Sequence, residues 1–240
     1  MQAALLAEQG AEGPPNVIEG RDGFMQAFAF GRIDKARPIK LPPAVEFGIT
    51  DCYIKPYACC RHIQPAVEAM FGLCNDEKIA FDDIRTVEVE TYKIATEHAH
   101  VPWDDFASAQ LSFPYLMGLA ARYRGVKFEH FDETTRKDPA FAAFADKLTV
   151  SAPAEIDQLY PRLRPARVTV TTPRGKFVRQ ADEAWGSRQV PLDDEGLIAK
   201  FLGLVGPVLG EAHAKELSAR LWTIDQANDV APLVEALAKA

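Results

Sequence analysis

Two segments in the middle of the chain alternate polar and apolar residues, and this pattern constrains the fold more than any other feature. The first covers 84–92 and reads IRTVEVETY. The second contains Val168 and Val170 and leads through the turn residues 173–175 to another apolar stretch at 176–178. Alternation with a period of two is typical of a half-buried strand, and a Gly-containing turn between two strands predicts a hairpin. We therefore expect an antiparallel sheet in this part of the chain.

Helical patterns lie on both sides of these strands. Apolar residues at helical spacing and helix start and stop signals predict helices over 1–9, 20–30, 64–73, 113–123, 139–147, 194–205, 208–221 and 228–238. Gly10 closes the first of these, Asp193 caps the sixth, and the proline-rich segment 37–43 is a connector. The order of elements predicts an α+β fold, with a strand-containing module inserted into a helical body.

Composition excludes several classes of protein. A net charge of -7 and a pI near 5.3 argue against a nucleic-acid binder, which carries a basic surface. Four cysteines without CxxC spacing indicate reduced thiols, and we expect neither a metal site nor a cofactor. No apolar run reaches the ~20 residues of a membrane span, and no signal-peptide pattern opens the sequence. We expect a soluble cytoplasmic protein that does not contact membranes.

The segment 54–69, IKPYACCRHIQPAVEA, concentrates charged and nucleophilic side chains just before a predicted helix. Pro65 is tolerated in the first helical turn, where its missing N–H would have had no partner. Arg61 and His62 therefore lie near a helix N-terminus, which favours an anion, and Lys55 adds positive charge. The expected ligand is a carboxylate or a phosphate.

A second segment, QLSFPY at 110–115, uses the same arrangement. Ser112 is a candidate N-cap, Pro114 falls in the first turn, and Tyr115 follows near the helix start. The two helix starts could converge on a substrate with several carboxylates. The alternatives are simple capping for Ser112 and a hydrogen-bonded core position for Tyr115.

The blocks IKPYACCRHIQPAVEA and AQLSFPY resemble the MmgE/PrpD family of 2-methylcitrate dehydratases, cis-aconitate decarboxylases and iminodisuccinate epimerases. Three further blocks, EGRDGFMQAF, RVTVTTPRGK and LDDEGLIAKF, resemble family segments in the same order. The resemblance implies an all-helical domain plus a smaller α+β lid domain, and usually a homodimer. It also implies metal-independent lyase or isomerase chemistry on di- and tricarboxylic acids.

The resemblance divides the chain into three parts. Residues 1–78 would be part of the helical domain with the Lys/His motif, 79–190 the lid domain with the 105–123 helix near the site, and 191–240 helices returning to the helical domain. Family chains are considerably longer, and the resemblance covers their second half. A partner chain would supply the other half, in a homo- or hetero-oligomer, and we expect exposed apolar surface where its helices would pack.

Removing a proton next to a carboxylate requires a base, cations for the developing charge and an acid for a leaving hydroxyl. We assign Lys55, His62 and Tyr115 to catalysis and Arg61, Gln110 and Ser112 to substrate binding. Positive charge from Lys55 and Arg61 should keep the imidazole of His62 neutral, so that it can move a proton. The alternatives are a capping or surface role for His62 and an internal ion pair for Arg61.

The resemblance is interrupted at Cys60, because decarboxylase-like relatives have a histidine five positions after the motif lysine. We therefore expect a 2-methylcitrate dehydratase-like hydro-lyase of propionate metabolism. The alternative is a non-catalytic truncated member or partner subunit that binds carboxylates or another family chain. The pair His98 and His100 suits either a solvated loop or a metal site, and of Cys59 and Cys60 at least one should serve packing.

Overall fold

The computed structural model describes residues 2–11, 13, 16–21, 23–29 and 52–238. The chain forms two compact units, 1–47 and 48–240. The described part of the first unit contains helices α1 (Gln2–Glu8) and α2 (Phe24–Ala29), which confirms the two short helices predicted there. The predicted connector at 37–43 lies outside the described residues.

The second unit is built around a four-stranded sheet. Its strands are β1 (Thr86–Thr91), β2 (Leu148–Ser151), β3 (Ala166–Thr172) and β4 (Gly175–Ala181), in the spatial order β2-β1-β3-β4. β3 is antiparallel to both β1 and β4, whereas β2 is parallel to β1. The expectation of an antiparallel sheet was therefore wrong for one pairing, and the sheet is mixed. A parallel neighbour needs a long crossover, which the helices between β1 and β2 provide.

The alternating segments form the two central strands as predicted. Val87 and Val89 of β1 are buried and lie opposite Val170 and Val168 of β3. The hairpin between β3 and β4 turns just before Gly175, whose φ of +131° requires a residue without a Cβ. Register here follows from the pattern, because a shift by one residue would expose the buried valines.

Helices cover one part of the sheet and complete the main core. They are α3 (Gln64–Asp76), α4 (Lys93–Thr96), α5 (Phe106–Ala109), α6 (Phe113–Tyr123), α7 (Glu133–Arg136), α8 (Pro139–Ala145) and α9 (Ala154–Asp157). α3 packs against β3, β4 and α6, and α6 packs against α8. Residues 113–121 of α6 are all buried, so this helix is apolar on every side.

Three helices close the chain: α10 (Asp194–Leu209), α11 (Glu211–Leu221) and α12 (Ala231–Ala238). Asp193 caps α10 as predicted, with its side chain accepting from the Gly196 N–H at 2.8 Å. α10 continues through Pro207, so the expected helix boundary near 205–208 was wrong; the break falls at Gly210, where φ is +84°. None of the helices in the described ranges is long and apolar enough to cross a membrane.

The close packing of α6 on α8 yields a test. A Cβ added at Gly118 would lie 2.8 Å from Cδ1 of the fully buried Phe141. Because this buried ring can give way only by shifting its neighbours in the core, we expect Gly118→Ala to lower the free energy of unfolding by roughly 1–3 kcal/mol in urea titrations.

The matched control is Gly203→Ala on exposed α10, where nothing lies within 4 Å of the added Cβ. Alanine favours helix over glycine by up to ~1 kcal/mol, so this variant should be stabilised or unchanged. Equal stability of both variants would contradict the described contact between α6 and α8.

Candidate active site

The segment before α3 is fixed at both of its ends. The N–H of Ile54 donates to the carbonyl of Gly186 at 2.9 Å. Gly186 has φ +83°, and a Cβ there would lie 1.9 Å from the Ile54 carbonyl oxygen, so only glycine fits. At the other end, α3 begins at Gln64 with Pro65 in its first turn, as predicted. His62 therefore lies directly before the cap residue of α3.

The two sequence motifs meet in the structure. The N–H of Cys60 donates to the carbonyl of Gln110 at 2.9 Å, and Nε2 of Gln110 donates to the carbonyl of Ala58 at 3.2 Å. The N–H of Phe113, the first residue of α6, donates to the carbonyl of His98 at 3.1 Å. The start of α6, the motif segment and the turn around residue 98 thus form one cluster.

His62 is half-buried in a cluster of aromatic rings. Its Nδ1 lies 2.7 Å from the hydroxyl oxygen of Tyr92. Its ring stacks on His98 with centroids 6.1 Å apart, and Tyr160 lies at 6.2 Å. Tyr92 and Tyr160 stack on each other at 4.6 Å. Neither tyrosine was predicted from the sequence, because neither belongs to a motif near His62 in the chain.

The surroundings favour the neutral form of this imidazole. Burial is the largest cause that lowers the pKa of His62, followed by electrostatic interactions with His98, Arg164 and Arg61, while Glu97 acts in the other direction. The neutral imidazole is the expectation from the sequence, although burial contributes more than the neighbouring cations.

The two adjacent cysteines have different surroundings. Cys59 is fully buried, and burial raises the pKa of its thiol well above its usual range, as suits a packing residue. Cys60 is half-buried, and its Sγ lies 3.5 Å from Nε2 of His98. One thiol therefore belongs to the core and the other to the cluster around His62.

Arg61 is paired within the protein. It is 7% exposed, and its Nη2 lies 3.1 Å from Oε2 of Glu183. Its Nη1 donates to Gln64 at 3.4 Å, and its guanidinium lies over the ring of Tyr53. This is the internal ion pair that the sequence left open as an alternative to substrate binding.

Arg164 is a second cation near His62, and no motif pointed to it. Its Nη1 lies 3.9 Å from Oε1 of Glu183, a longer contact than that of Arg61, and its side chain is 32% exposed. The guanidinium also lies 5.8 Å from the ring of Tyr160. Arg164 thus combines positive charge with access to solvent beside the imidazole.

Lys55 lies at the exposed beginning of the motif. Its Nζ donates to the carbonyl of Cys59 at 3.4 Å, and Nζ of Lys200 in α10 donates to the carbonyl of Lys55 at 2.8 Å. Within the described residues, no hydrogen bond or ion pair joins Lys55 to His62.

Ser112 and Tyr115 have structural contacts. Ser112 caps α6, its Oγ accepting from the N–H of Tyr115 at 3.5 Å, which confirms the predicted N-cap. The hydroxyl of Tyr115 donates to the carbonyl of His130, and its buried ring packs on Trp103 and Phe141. Catalysis by Tyr115 and substrate contact by Ser112 and Gln110 stay predictions.

His100 is exposed, whereas Nε2 of His98 lies within hydrogen-bond distance of Sγ of Cys60. In the ranges that the structure describes, no group of three or more His, Cys, Asp or Glu side chains is arranged to hold a metal ion.

A separate cavity of about 400 Å³ lies between α3 and β4. Glu68 of α3 lines it, and its Oε1 accepts from the N–H of Trp185 at 2.7 Å. Burial raises the pKa of Glu68 to about 7 against the opposing effects of that hydrogen bond and of Arg61. Arg179, which pairs with Asp76, also lines this cavity.

The MmgE/PrpD C-terminal domain model matches residues 57–224, so the chain belongs to the MmgE/PrpD family. The relatives it resembles include a cis-aconitate decarboxylase of Aspergillus terreus, 26% identical over 97% of this chain and 51% of the relative. A second, from A. terreus strain NIH 2624 / FGSC A1156, is 27% identical over the same shares. The chain spans about half the length of these curated relatives.

The raised pKa of Glu68 makes stability depend on pH. The pKa of Glu68 is higher in the folded state than in the unfolded state. The protonated carboxyl therefore stabilises the fold at acidic pH, and this stabilisation is lost as the pH rises through about 7. Glu68→Gln keeps a hydrogen-bond acceptor for Trp185 but cannot ionise. We expect the variant to exceed the wild type in free energy of unfolding at pH 8 by on the order of 2 kcal/mol, and to differ little at pH 4.5.

The control is Glu155→Gln on α9, where the side chain is exposed. As an exposed surface substitution, it should change the free energy of unfolding by no more than about 0.5 kcal/mol. Superimposable pH profiles for the wild type and Glu68→Gln would show that this carboxyl does not titrate as expected.

Proposed function

We propose that the chain forms part of a lyase site for a di- or tricarboxylic acid, in which His62 serves the proton-transfer step next to a carboxylate. The observation that carries the proposal is a half-buried imidazole and a partly exposed arginine, Arg164, that both lie near the ring of Tyr160. Burial and the charge of Arg164 also lower the pKa of His62. Membership of the MmgE/PrpD family and the names of the two relatives support lyase chemistry. The proposed reaction uses side chains alone, without metal or cofactor.

The chemistry requires positive charge near the reacting carbon. Loss of a proton next to a carboxylate places negative charge on the carboxylate oxygens, and fixed cations stabilise that charge most when water is excluded. Arg61 is already paired with Glu183. We therefore propose that Arg164, and not Arg61, binds a substrate carboxylate. Lys55, exposed at the start of the motif, is proposed as a second carboxylate contact.

An imidazole can serve either side of such a reaction. It can accept the proton from carbon, or it can donate a hydrogen bond to the oxygen that gains charge or leaves. Both roles suit a neutral His62 at pH 7.

Two reactions are candidates. The first is removal of water from a 2-methylcitrate-like hydroxy acid, as in propionate metabolism, because the sequence resemblance to decarboxylase-like family members is interrupted at Cys60. The second is decarboxylation, which is favoured by the names of both relatives. Both reactions start from a di- or tricarboxylic acid. They differ in the group that leaves, which is water in the first and carbon dioxide in the second.

The site is proposed to need further protein. The chain spans about half the length of its relatives, and its C-terminal helices expose large apolar side chains, among them Leu204, Val208, Val234 and Leu237. We propose that these side chains pack against a chain supplying the remaining half, in a homo- or hetero-oligomer. A non-catalytic carboxylate-binding subunit is the alternative function.

The division into 1–78, 79–190 and 191–240 stays the proposed domain layout. The core crosses the boundary at 78, because α3 packs on β3 and β4. Any movement of a lid relative to a helical domain would therefore have to leave this contact intact.

The test incubates the purified chain, alone and with a polypeptide matching the rest of the relatives, with 2-methylcitrate, citrate and cis-aconitate. Absorbance of unsaturated acids follows water loss, and released carbon dioxide follows decarboxylation. We expect His62→Gln to lower kcat by at least about 100-fold, since acid–base groups contribute that much or more. Arg164→Gln should mainly raise KM.

Arg122→Gln is the matched control, because Arg122 is 34% exposed and pairs with Asp138 outside the site. It should leave turnover unchanged. Water loss would identify a hydro-lyase and carbon dioxide a decarboxylase. Turnover that survives His62→Gln would reject the role of His62, and no turnover in any mixture would favour the non-catalytic function.

A further inference from the structure

Tyr92 is the immediate hydrogen-bond partner of His62. It follows the last residue of β1, is fully buried, and is held by stacking on Tyr160. Its hydroxyl oxygen lies 2.7 Å from Nδ1 of His62, a normal length for a bond to nitrogen. A buried strand end thus fixes the hydroxyl at one nitrogen of the ring.

The direction of this hydrogen bond follows from counting donors. Nδ1 of His62 is the one hydrogen-bond partner of the Tyr92 hydroxyl among the residues that the structure describes. If Nδ1 carried the proton and donated it, the phenol O–H would remain buried without an acceptor. Such an unsatisfied group costs about 1–3 kcal/mol. When Tyr92 donates instead, both atoms are satisfied.

The phenol retains its proton in this environment. Burial is the largest cause that raises the pKa of Tyr92, and it exceeds the opposing effect of Arg164. The pKa of His62 is lowered, so the imidazole is neutral and has one protonated nitrogen. With Nδ1 accepting from Tyr92, that proton belongs on Nε2.

We propose that Tyr92 is a positioning residue that fixes His62 as the Nε2–H tautomer, so that the imidazole meets the substrate as a hydrogen-bond donor. This rests on the proposed function, and it selects one of the two roles open to His62. The donor serves the substrate oxygen that gains charge or leaves, and another group removes the proton from carbon. A neutral imidazole donating to a developing oxyanion is an established pattern in enzymes.

The tautomer is measured directly by long-range proton–nitrogen NMR on protein labelled with ¹⁵N-histidine, at pH 7.5 and without substrate. His62→Gln assigns the signals, since it removes one of the five histidines. We expect Nε2 of His62 to be protonated and Nδ1 to be an unprotonated acceptor. A protonated Nδ1 at His62 in the wild type would overturn the proposal.

Tyr92→Phe tests the positioning role. The ring and its stacking remain, but the donor is lost, so the single tautomer should give way to a mixture with detectable Nδ1–H. Tyr160→Phe is the matched control: it removes a hydroxyl from the other ring of the same stack, and the Nε2–H form should persist. An unchanged tautomer in Tyr92→Phe would mean that Tyr92 does not fix it.

These outcomes are separable from those of the proposed function. The NMR signals need no turnover, so an inactive protein with the Nε2–H tautomer would reject the lyase but retain the positioning of His62 by Tyr92. An active protein with the Nδ1–H tautomer would do the reverse.

Discussion

The buried ion pair between Arg61 and Glu183 determines how the rest of the candidate site is arranged. Both side chains are less than a tenth exposed, and the pair joins the segment before α3 to the segment after β4. The bond from Ile54 to Gly186 makes the same connection, and the bond from Trp185 to Glu68 joins the segment after β4 to α3 itself. A charge left alone at such a depth costs several kcal/mol, so neither partner is replaceable by itself. His62 is the next residue after Arg61, and its position follows from this anchor.

One carboxylate between two guanidinium groups explains why two arginines near His62 have different properties. Glu183 bonds to Arg61 at 3.1 Å and reaches Arg164 only at 3.9 Å. Arg61 is therefore fixed by its ion pair with Glu183, whereas Arg164 remains in contact with solvent. The proposed carboxylate substrate would compete with Glu183 for Arg164 over a long, weak contact, and it would leave the buried pair undisturbed.

The sequence was enough to predict those helix starts and strands that depend only on residues close together in the chain. Pro65 and Ser112 marked the helix starts correctly, and the alternating valines gave the two central strands. β2 was missed because four residues, each at most half-buried, are too few to show a period. The partners of His62 were missed for another reason: Tyr92 and Arg164 come from the end of β1 and the approach to β3, and only tertiary packing brings them together.

The close approach of Gly186 to Ile54 also affects the order of events in folding. The segment that carries His62 precedes β1, yet its anchor points at 183–186 follow β4, so every strand of the sheet separates the two in the chain. Contacts between distant parts of a chain form late, because the intervening loop must close first. On the ribosome, α3 and the motif therefore emerge before their anchors, and the bonds from 183–186 to this segment can form only after β4 has been synthesised.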